Sequence, residues 1–548
     1  MTTFVLRATA PTEPRLILTT ALAYANARLH LGHALEAVLA DAFARSRKAW
    51  GQDVTFLGAD DNHGTATELR AAAEGTTPEA LSDAVATLNK ADYAALDIGF
   101  STYHRTHGPE NEGVCTEVFG ALHRKGLLVP RTTPQLYDPV AGRFLDDRRV
   151  RGTCPSCARP DQPAGGCPCG VPHEATELLD PVSVLSGATP VLRDAEHLHL
   201  DVDRVGDGVR AWIDGGGVGP SVAAKLRSWT HGDGEDGFSI RPWCITRKGP
   251  YFGFQVPGEE DLFFYVWFDA PLGYLAALAH HIARTHAPDT DWRTAWNDPD
   301  TEVVQVIGKD IVAFHGLFWP ALLEGADLRL PTRVHAHGFL TCDGAKLSKS
   351  AGTAPTLAAE LARLPVDTLR LGLAAQAGFD ITDGDLKDGT FASLHNGFLV
   401  GKVANIALRL RPLLVPLGNR LADALPDPVG YQEVLDEASE AIAAYDAFDT
   451  AKVVRAAAAL ADRANGLIAH AQPWKEPDAE RVRDVATQAL AILRVVAVVL
   501  APITPRFAES ILRIFPDADH GWTSLKRPPL GCTVDIPERL LERLPTKP

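Results

Sequence analysis

The 548-residue sequence has no run of eighteen uninterrupted apolar residues, and its start does not join a cationic segment to an apolar one. A membrane-spanning helix needs the first feature and a secretion signal needs the second. We therefore expect a soluble, cytoplasmic protein without a membrane partner. Hydrophobic residues make up 46% of the chain, which suffices for the packed cores of several domains.

The chain has fewer positive than negative residues: 53 lysines and arginines against 69 aspartates and glutamates give a formal net charge of −16. This balance argues against indiscriminate binding to nucleic acid, whose phosphates attract cationic proteins. It still permits a local basic surface on an otherwise acidic protein.

Cysteine is scarce, yet four of the eight cysteines crowd into residues 154–169. Without a secretion signal, such a cluster indicates metal binding before disulfides. Cys154 and Cys157 have the spacing with which two thiolates grip one zinc ion, whereas Cys167 and Cys169 are one residue closer than usual. We predict structural zinc on all four; the alternatives are His173 as a substitute ligand and a vestigial, reduced cluster.

The motif His-Leu-Gly-His lies where a predicted strand, Arg15 to Tyr24, gives way to a helix that continues to Gly51. His30 and His33 therefore lie at a helix N-terminus, where backbone N–H groups and the helix dipole favour a phosphate. Gly32 leaves room for a flat ring. Taken alone the motif is weak, and two surface histidines are the commoner interpretation.

Far down the chain, Lys346 and Lys349 lie among small and polar residues in Gly-Ala-Lys-Leu-Ser-Lys-Ser. Such a segment suits a loop that closes over a polyphosphate, although a solvated basic turn is the simpler alternative. Together, HLGH and KLSKS resemble the HIGH and KMSKS signatures of class I aminoacyl-tRNA synthetases in order and spacing. That resemblance implies a Rossmann-like catalytic domain.

Residues 15–125 alternate strands and helices, which predicts a doubly wound parallel sheet and an α/β fold class. The strand Val54–Leu57 leads to Asp60 and Asp61, and carboxylates at this end of a parallel strand face the ligand crevice. We expect Asp61 to bind a substrate ammonium. The alternative is a cap for the predicted helix Thr65–Ala73.

Near residue 263 the sheet is predicted to resume, with a strand that places aromatic side chains at its carboxyl end. Another strand, Val303–Ile307, precedes a predicted helix over Ile311–Trp319 that carries Phe314 and His315 near one face. An ordinary aromatic core is the alternative interpretation of this cluster. Its predicted position at the crevice of His30 favours a ligand pocket.

At this point the sequence resembles methionyl-tRNA synthetases in particular, from about residue 15 to about residue 535. The motifs that carry the resemblance fall in the family's order: HLGH, GADDNHGT, QLYDP, GTCPSC, SGATPV, PYFGF, YVWFDAPLGY, IGKDIVAFHGLFWPA, HGFLTCDGAKLSKS and QPW.

The resemblance implies a methionine pocket in which Asp61 binds the α-ammonium and aromatic rings enclose the thioether. Its other residues are Leu22, Tyr24, Trp267, Ala270, Pro271, Tyr274, Ile311, Phe314, His315 and Trp319. The implied ATP-binding residues are His30, Gly32, His33, Asp310, His337, Gly338, Lys346 and Lys349. The implied catalytic residues are His30, His33, Arg247, Lys346 and Lys349, with Mg²⁺ on the phosphates.

The sequence departs from the family at a few positions. Ala23 replaces a proline and Ala313 a tyrosine, which can loosen the amino-acid pocket, and Leu347 replaces the loop methionine. Met1 is the only methionine in the chain. Such a composition suits an enzyme made when methionine is scarce, or a duplicated enzyme that resists an inhibitor of the methionine site.

The last part of the chain is predicted to be a helical bundle. Its helices are Leu399–Leu414, Val434–Phe448, Thr450–Ile468 and Ala479–Leu500. Asn405 and Arg409 share a helical face, and Trp474 follows another helix, which offers hydrogen bonds and a stacking plane to unpaired bases. The resemblance implies that these three read the anticodon, although Gly401 replaces a family asparagine. A solvated face with a buried tryptophan is the alternative.

The predicted domains are 1–125 and 246–335 for the two catalytic halves, 126–245 for an inserted zinc-knuckle domain, 336–390 for a stem-contact region and 391–548 for the anticodon-binding bundle. We expect a monomer. The predicted function is ATP-dependent activation of methionine and its transfer to methionine tRNA. The alternatives are a resistance or specialised-metabolism paralogue and a non-catalytic tRNA-binding protein, against which the intact HLGH and loop lysines argue.

Overall fold

The structure, a computed structural model, describes residues 3–164, 167, 169, 174–230, 242–285, 290–346, 355–378, 380–387, 389–516 and 519–545. Within them the strands are β1 Arg15–Thr20, β2 Ala23–Tyr24, β3 Asp53–Asp61, β4 Thr102–Arg105, β5 Leu128–Asp138, β6 Arg143–Phe144, β7 Val150–Thr153, β8 Gln162–Pro163, β9 Leu179–Ser183, β10 Val191–Leu200, β11 Trp243–Cys244, β12 Thr246–Lys248, β13 Leu262–Phe264, β14 Thr301–Gly308, β15 Arg333–His337, β16 Leu340–Cys342, β17 Ala345–Lys346 and β18 Gly384–Leu386.

The α-helices of the same residues are α1 Leu31–Ala49, α2 Thr65–Glu74, α3 Pro78–Ala95, α4 Pro109–Arg124, α5 Gly206–Asp214, α6 Pro220–Thr230, α7 Val266–Thr285, α8 Trp292–Asn297, α9 Trp319–Gly325, α10 Leu357–Arg363, α11 Val366–Ala374, α12 Thr390–Ser393, α13 Asn405–Leu414, α14 Pro428–Asp446, α15 Thr450–Ala471, α16 Ala479–Leu500 and α17 Pro505–Leu512.

The central sheet is parallel and doubly wound, as predicted. Its strands lie in the order β15, β14, β1, β3, β2, and β4 also pairs with β3; every pairing is parallel. The chain runs from β1 to β3 and β4 and then returns to add β14 and β15 on the opposite side of β1. The strand order therefore reverses between β1 and β14, which is where doubly wound sheets bind ligands.

Both faces of this sheet are covered, which explains the nearly continuous apolar character of its strands. Leu16 and Leu18 of β1 pack in a core shared with α1 and the C-terminal helices, whereas Ile17 packs against α4, α7 and α9. All residues of β14 are buried. Successive side chains of β1 thus belong to different parts of the core, which lie on opposite faces of the sheet.

The first strand is shorter than predicted, because the chain changes partners after Thr20. The backbone N–H of Ala21 donates to the Val306 carbonyl of β14, whereas β2 pairs with the end of β3. The prediction of one strand to Tyr24 was therefore wrong. The crossing leaves Leu22 beside a cavity at the carboxyl ends of the strands.

The predicted strand near residue 263 does not belong to the central sheet. β13 pairs antiparallel with β12, and α7 already begins at Val266, so the aromatic motif is helical. The segment Ile311–Trp319 is also not one regular helix. A 3₁₀ turn, Lys309–Ile311, precedes a π-helical turn, Phe314–Phe318, and only then does α9 begin.

The segment between the catalytic halves is antiparallel. β11, β10, β5 and β6 form one sheet, and β8, β7 and β9 form a second, smaller one that carries Cys154 at the end of β7. Antiparallel strands can be joined by short turns, which accounts for the loss of strand–helix alternation here. The predicted domain limits stay predictions.

The C-terminal part is helical, as predicted, although Leu394–Ala404 is a π-helical segment and α13 begins only at Asn405. A buried ion pair fixes this part to the sheet. Arg370 of α11 donates to Asp41 of α1 over 2.6 Å and also to the carbonyls of Pro502 and Ile503. No helix in the described ranges is long and apolar enough to cross a membrane.

Candidate active site

A cavity of about 850 Å³ opens at the carboxyl ends of β1, β3, β14 and β15, where the strand order reverses. Most residues predicted for the site line it together. They are Leu22, Tyr24, His30, Gly32, His33, Asp61, Arg247, Trp267, Ala270, Pro271, Tyr274, Asp310, Ile311, His315, His337 and Gly338.

His30 and His33 cap the start of α1, as the sequence predicted for a helix N-terminus. The backbone N–H of Gly32 donates to His30 Nδ1 over 3.0 Å, and the N–H of His30 donates to His33 Nδ1 over 3.2 Å. Since Nδ1 accepts in both rings, each neutral imidazole carries its proton on Nε2. Both side chains are therefore N–H donors at the helix N-terminus, which suits phosphate oxygens.

Gly32 leaves room for the protein's own His30 ring. A Cβ atom at this position would lie 2.8 Å from His30 Cε1, which is closer than real Cβ contacts. Any larger residue would displace the imidazole from its capping position. The arrangement of the two histidine rings, whose centroids are 4.0 Å apart, thus depends on glycine.

Asp61 ends β3 on the cavity wall. Its Oδ1 atom is buried and lacks a hydrogen-bond partner within the described part of the chain. Burial, and then the charge of Asp269, raise the pKa of Asp61 well above its usual range. An ammonium group would supply the missing partner. The alternative role as a helix cap is wrong, because α2 begins after Gly64 without a side-chain cap.

Asp60, the neighbouring carboxylate, has a different environment. It is buried and accepts a hydrogen bond from Asn89 Nδ2 over 2.7 Å. Burial raises the pKa of Asp60 to about 7. Consecutive residues of a strand point to opposite faces, so only Asp61 is available to the cavity.

A histidine network that the sequence analysis missed lies beside Asp61. His63 Nδ1 is 2.5 Å from Asp269 Oδ2, and His63 Nε2 is 2.9 Å from His107 Nδ1. Burial raises the pKa of Asp269. His63 belongs to a motif that the sequence displays, but nothing in the sequence links it to a residue of α7.

One end of the cavity is lined by Tyr274 and His315, whose side chains are joined by a hydrogen bond. His315 Nδ1 donates to the Ile311 carbonyl over 3.3 Å, and Tyr274 Oη donates to His315 Nε2 over 2.8 Å. Burial lowers the pKa of His315 to about 4, so the ring is neutral at pH 7. This end therefore suits an apolar, polarisable side chain better than a charged one.

Phe314 and Trp319, also predicted for the pocket, lie behind its wall. Phe314 stacks on Trp267 with ring centroids 3.6 Å apart and planes inclined by 7°. Trp319 is buried, and its Nε1 donates to Gln305 over 2.7 Å. The π-helical turn explains the difference, because it rotates these side chains away from the positions of a regular helix.

The opposite end of the cavity holds a buried pair, His337 and Glu36. His337 Nε2 lies 3.2 Å from Glu36 Oε2, and His337 Nδ1 donates to the Gly338 carbonyl over 2.8 Å. Burial lowers the pKa of His337, but the hydrogen bond and charge of Glu36 outweigh it and raise the pKa overall. Glu36 was not predicted from the sequence, although it lies three residues after His33 on one face of α1.

Arg247 lies on β12, and its guanidinium stacks 3.5 Å from the centre of the Tyr265 ring. Its Nη1 donates to the Thr246 carbonyl over 2.9 Å. Lys346 ends β17, but its side chain and the whole of Lys349 lie outside the described residues. The flanks of that loop are placed: β16 begins at the cavity, and Thr356 forms a bridge with His30.

The family described as tRNA synthetases class I (M) matches residues 16–411, which is most of the chain. The chain belongs to this family. Members of the family bind tRNA, an amino acid and ATP, and the parallel sheet of this synthetase has the Rossmann-like form that such proteins use for ATP.

Solved structures agree on the fold of the synthetase. It is similar to Mycobacterium tuberculosis methionyl-tRNA synthetase bound by methionyl-adenylate, with a TM-score of 0.78 and 24% identity over 96% of this chain and 99% of that one. A second structure of that synthetase, in complex with methionyl-adenylate, has a TM-score of 0.78 and 24% identity over 95% of this chain and 98% of that one. The free form of the Mycobacterium tuberculosis synthetase has a TM-score of 0.74 and 21% identity over 97% of this chain and 99% of that one.

The four clustered cysteines of the synthetase come together despite the shortened second spacing. All their sulfurs lie within 4.8 Å of one another; Cys154 and Cys169 are 3.8 Å apart, and Cys157 and Cys167 are 3.4 Å apart. Sulfurs that surround zinc tetrahedrally at about 2.3 Å lie about 3.8 Å apart. The cluster therefore fits zinc. His173 lies outside the described residues.

We expect one zinc ion per chain in synthetase purified without added metal, because four thiolates bind zinc tightly. Elemental analysis of the purified protein measures the ratio. Cys157→Ser should lower it, whereas Cys342→Ser, which removes an exposed cysteine outside the cluster, should not. A ratio near zero in the unmodified protein would mean that the closer spacing has abolished the site.

The three residues predicted to read the anticodon lie near one another in the helical part. The Arg409 guanidinium lies over the Trp474 ring, 5.4 Å from its centre, and Asn405 lies one turn earlier on α13. Trp474 is 50% exposed, so the alternative of a core tryptophan is wrong. The group offers an aromatic face, a cation and an amide to solvent.

Proposed function

We propose that this synthetase activates methionine with ATP and transfers it to methionine tRNA. The observation that carries the proposal is Asp61 Oδ1, a buried carboxylate oxygen without a hydrogen-bond partner in the described part of the chain, on the wall of a cavity with two different ends. One end is neutral and aromatic, and the other holds the N–H donors of His30 and His33. An amino acid and a nucleotide thus each find a matching surface.

In the proposed reaction the methionine carboxylate attacks the α-phosphate of MgATP, pyrophosphate leaves, and the terminal ribose of tRNA then attacks the adenylate. No protein nucleophile is required, so catalysis rests on positioning and charge stabilisation. His30 and His33 donate hydrogen bonds to phosphate oxygens. Arg247 and the loop lysines place positive charge beside the negative charge that develops on the departing pyrophosphate.

Methionine is favoured over other amino acids by the neutral end of the cavity. Tyr274 and His315 hydrogen-bond to each other there. A charged or strongly polar substrate side chain would therefore lose its hydration without gaining a hydrogen-bond partner. Ala23 and Ala313 are not among the residues that line the cavity. The relative bound to methionyl-adenylate supports the same choice.

Aminoacylation of total tRNA with labelled methionine tests the proposal. We expect charging by the intact synthetase and none by the double variant His30→Ala/His33→Ala, which removes both N–H donors. A well-folded synthetase that activates methionine without charging any tRNA would favour the specialised paralogue. One that binds tRNA without activating any amino acid would favour the non-catalytic alternative.

The affinity for methionine should depend on pH through Asp61. An ammonium binds the ionised carboxylate, and the pKa of Asp61 is raised by burial and by Asp269. Affinity therefore rises as the pH increases through this raised pKa. Asp269→Asn removes the neighbouring charge, so the rise should move to lower pH, while the exposed Asp261→Asn should leave it unchanged. Calorimetric titrations across pH check the shift; identical profiles would contradict it.

Trp474→Ala should raise the tRNA concentration needed for charging about tenfold, because stacking on one base contributes about 1–3 kcal/mol. Activation measured without tRNA should be unaffected. Trp229→Ala is a matched control, since Trp229 is 48% exposed and lies on α6, outside the helical part. A destabilised Trp474→Ala variant with normal tRNA dependence would refute the anticodon role.

A further inference from the structure

A second group of metal-ligand side chains lies away from the cysteines and outside the cavity. It consists of His104 on β4, Glu110 in the first turn of α4, and His280 near the end of α7. One ligand atom from each lies within 4.8 Å of the others. We refer to these three residues as the His-Glu-His cluster.

The two carboxylate oxygens of Glu110 face different imidazoles. Oε1 lies 2.8 Å from His280 Nδ1, and Oε2 lies 3.7 Å from His104 Nε2. Ligands that surround a zinc ion tetrahedrally at about 2.0–2.1 Å lie about 3.4 Å apart. The two observed distances lie on either side of this value. The rings of His104 and His280 are stacked, with centroids 4.4 Å apart and planes inclined by 21°, so both imidazoles must turn for the three atoms to bind one ion.

His104 Nε2 supplies an independent observation. This atom is buried and lacks a hydrogen-bond partner in the described ranges, because 3.7 Å is too long for a bond to Glu110. A buried polar atom without a partner is destabilising. A metal ion between His104 and Glu110 would satisfy the nitrogen, whereas the hydrogen bond of Glu110 to His280 does not.

We propose that the His-Glu-His cluster binds one divalent transition-metal ion, with Zn²⁺ or Co²⁺ as the matching chemistry. Two imidazoles and one carboxylate suit these ions, and the remaining coordination positions fall to water. The side chains of His280 and Glu110 are 28% and 33% exposed, so an ion can enter from solvent. With fewer and less charged ligands, this site should bind more weakly than the four cysteines.

The position of the cluster gives the ion a structural effect. It would join β4, α4 and α7, and the first turns of α7 carry Trp267, Ala270 and Tyr274 of the cavity wall. These elements are regular and tightly packed, so the ligands are already held near their positions. The bound ion should therefore raise the melting temperature without being needed for folding.

Titration of the metal-free synthetase with Co²⁺ tests the proposal by absorption spectroscopy and equilibrium dialysis. We expect one equivalent with thiolate-to-cobalt charge transfer and a second equivalent with only the weaker bands of nitrogen and oxygen ligands. His104→Ala and Glu110→Gln should each weaken the second equivalent about tenfold or more, and neither should change the first. Glu110→Gln keeps the size of an exposed side chain, so it remains informative if His104→Ala folds poorly.

His281→Ala is the matched control, because His281 neighbours the cluster on α7 but its Nδ1 lies 2.9 Å from Thr102. The His281→Ala variant should bind the second equivalent of Co²⁺ as tightly as the unmodified synthetase does. The proposal is overturned if the unmodified synthetase takes up only the thiolate-bound equivalent. It is equally overturned if the second equivalent survives in both His104→Ala and Glu110→Gln, since the ion would then lie elsewhere.

Discussion

Replacing Lys349 with alanine is expected to slow adenylate formation by a factor of about 10²–10³ while methionine binding stays unchanged. The lysine meets charge that develops on the departing pyrophosphate, so its loss removes a contact made mainly in the transition state. Pre-steady-state measurement of adenylate formation, beside calorimetry of methionine binding, separates the two effects.

The flanks of the loop support this large effect. On one side β16 and β17 lead from the cavity wall to Lys346, and on the other Thr356 bridges to His30, with the Leu357 N–H donating to the Leu29 carbonyl over 2.9 Å. Both ends of the segment that carries Lys349 are thus tied to the ATP end of the cavity.

Lys387→Ala provides a control for the loss of a lysine charge in this region. Lys387 is exposed and directly follows β18, the neighbour of β16, but it does not line the cavity. Its replacement should leave adenylate formation unchanged. A near-normal rate in Lys349→Ala would remove this lysine from the catalytic residues.

Replacing Asp61 with asparagine should weaken methionine binding by about 2–5 kcal/mol, a loss of at least about thirtyfold. The reason is that a buried carboxylate paired with an ammonium is a charge-assisted contact, and an amide cannot replace its charge. The same change should not lower the melting temperature, because the free protein loses a buried carboxylate oxygen, Asp61 Oδ1, that has no hydrogen-bond partner in the described part of the chain.

Calorimetry and thermal unfolding of Asp61→Asn distinguish a binding role from a structural one. Asp53→Asn is the control, since Asp53 is an exposed residue at the start of the same strand. Unchanged methionine affinity in Asp61→Asn would contradict the ammonium contact. Lost affinity together with a lowered melting temperature would show that Asp61 supports the fold instead.

The sequence predicted those features of the site that depend on local pattern. The position of His30 and His33 at the N-terminus of α1 follows from four consecutive residues and a strand-to-helix transition. The parallel sheet follows from apolar runs that alternate with amphipathic helices, and it brings Asp61 to the same crevice. Each of these depends on neighbours that are close in the chain.

Features that depend on contacts between distant residues were not predictable in this way. The pairing of His63 with Asp269 joins the loop after β3 to α7 across some two hundred residues, and no periodicity reveals it. The π-helical turn, which carries Phe314 behind the wall, adds a residue per turn that apolar spacing does not show. The side chain of Trp319 is likewise held away from the cavity, by its hydrogen bond to Gln305.

ATP–pyrophosphate exchange, measured with each of the twenty amino acids first without tRNA and then with it, determines whether the synthetase activates methionine. We predict that methionine supports exchange without tRNA and that no other amino acid exceeds it. Faster exchange with a different amino acid, or no exchange by folded protein that binds ATP, would refute the activation of methionine.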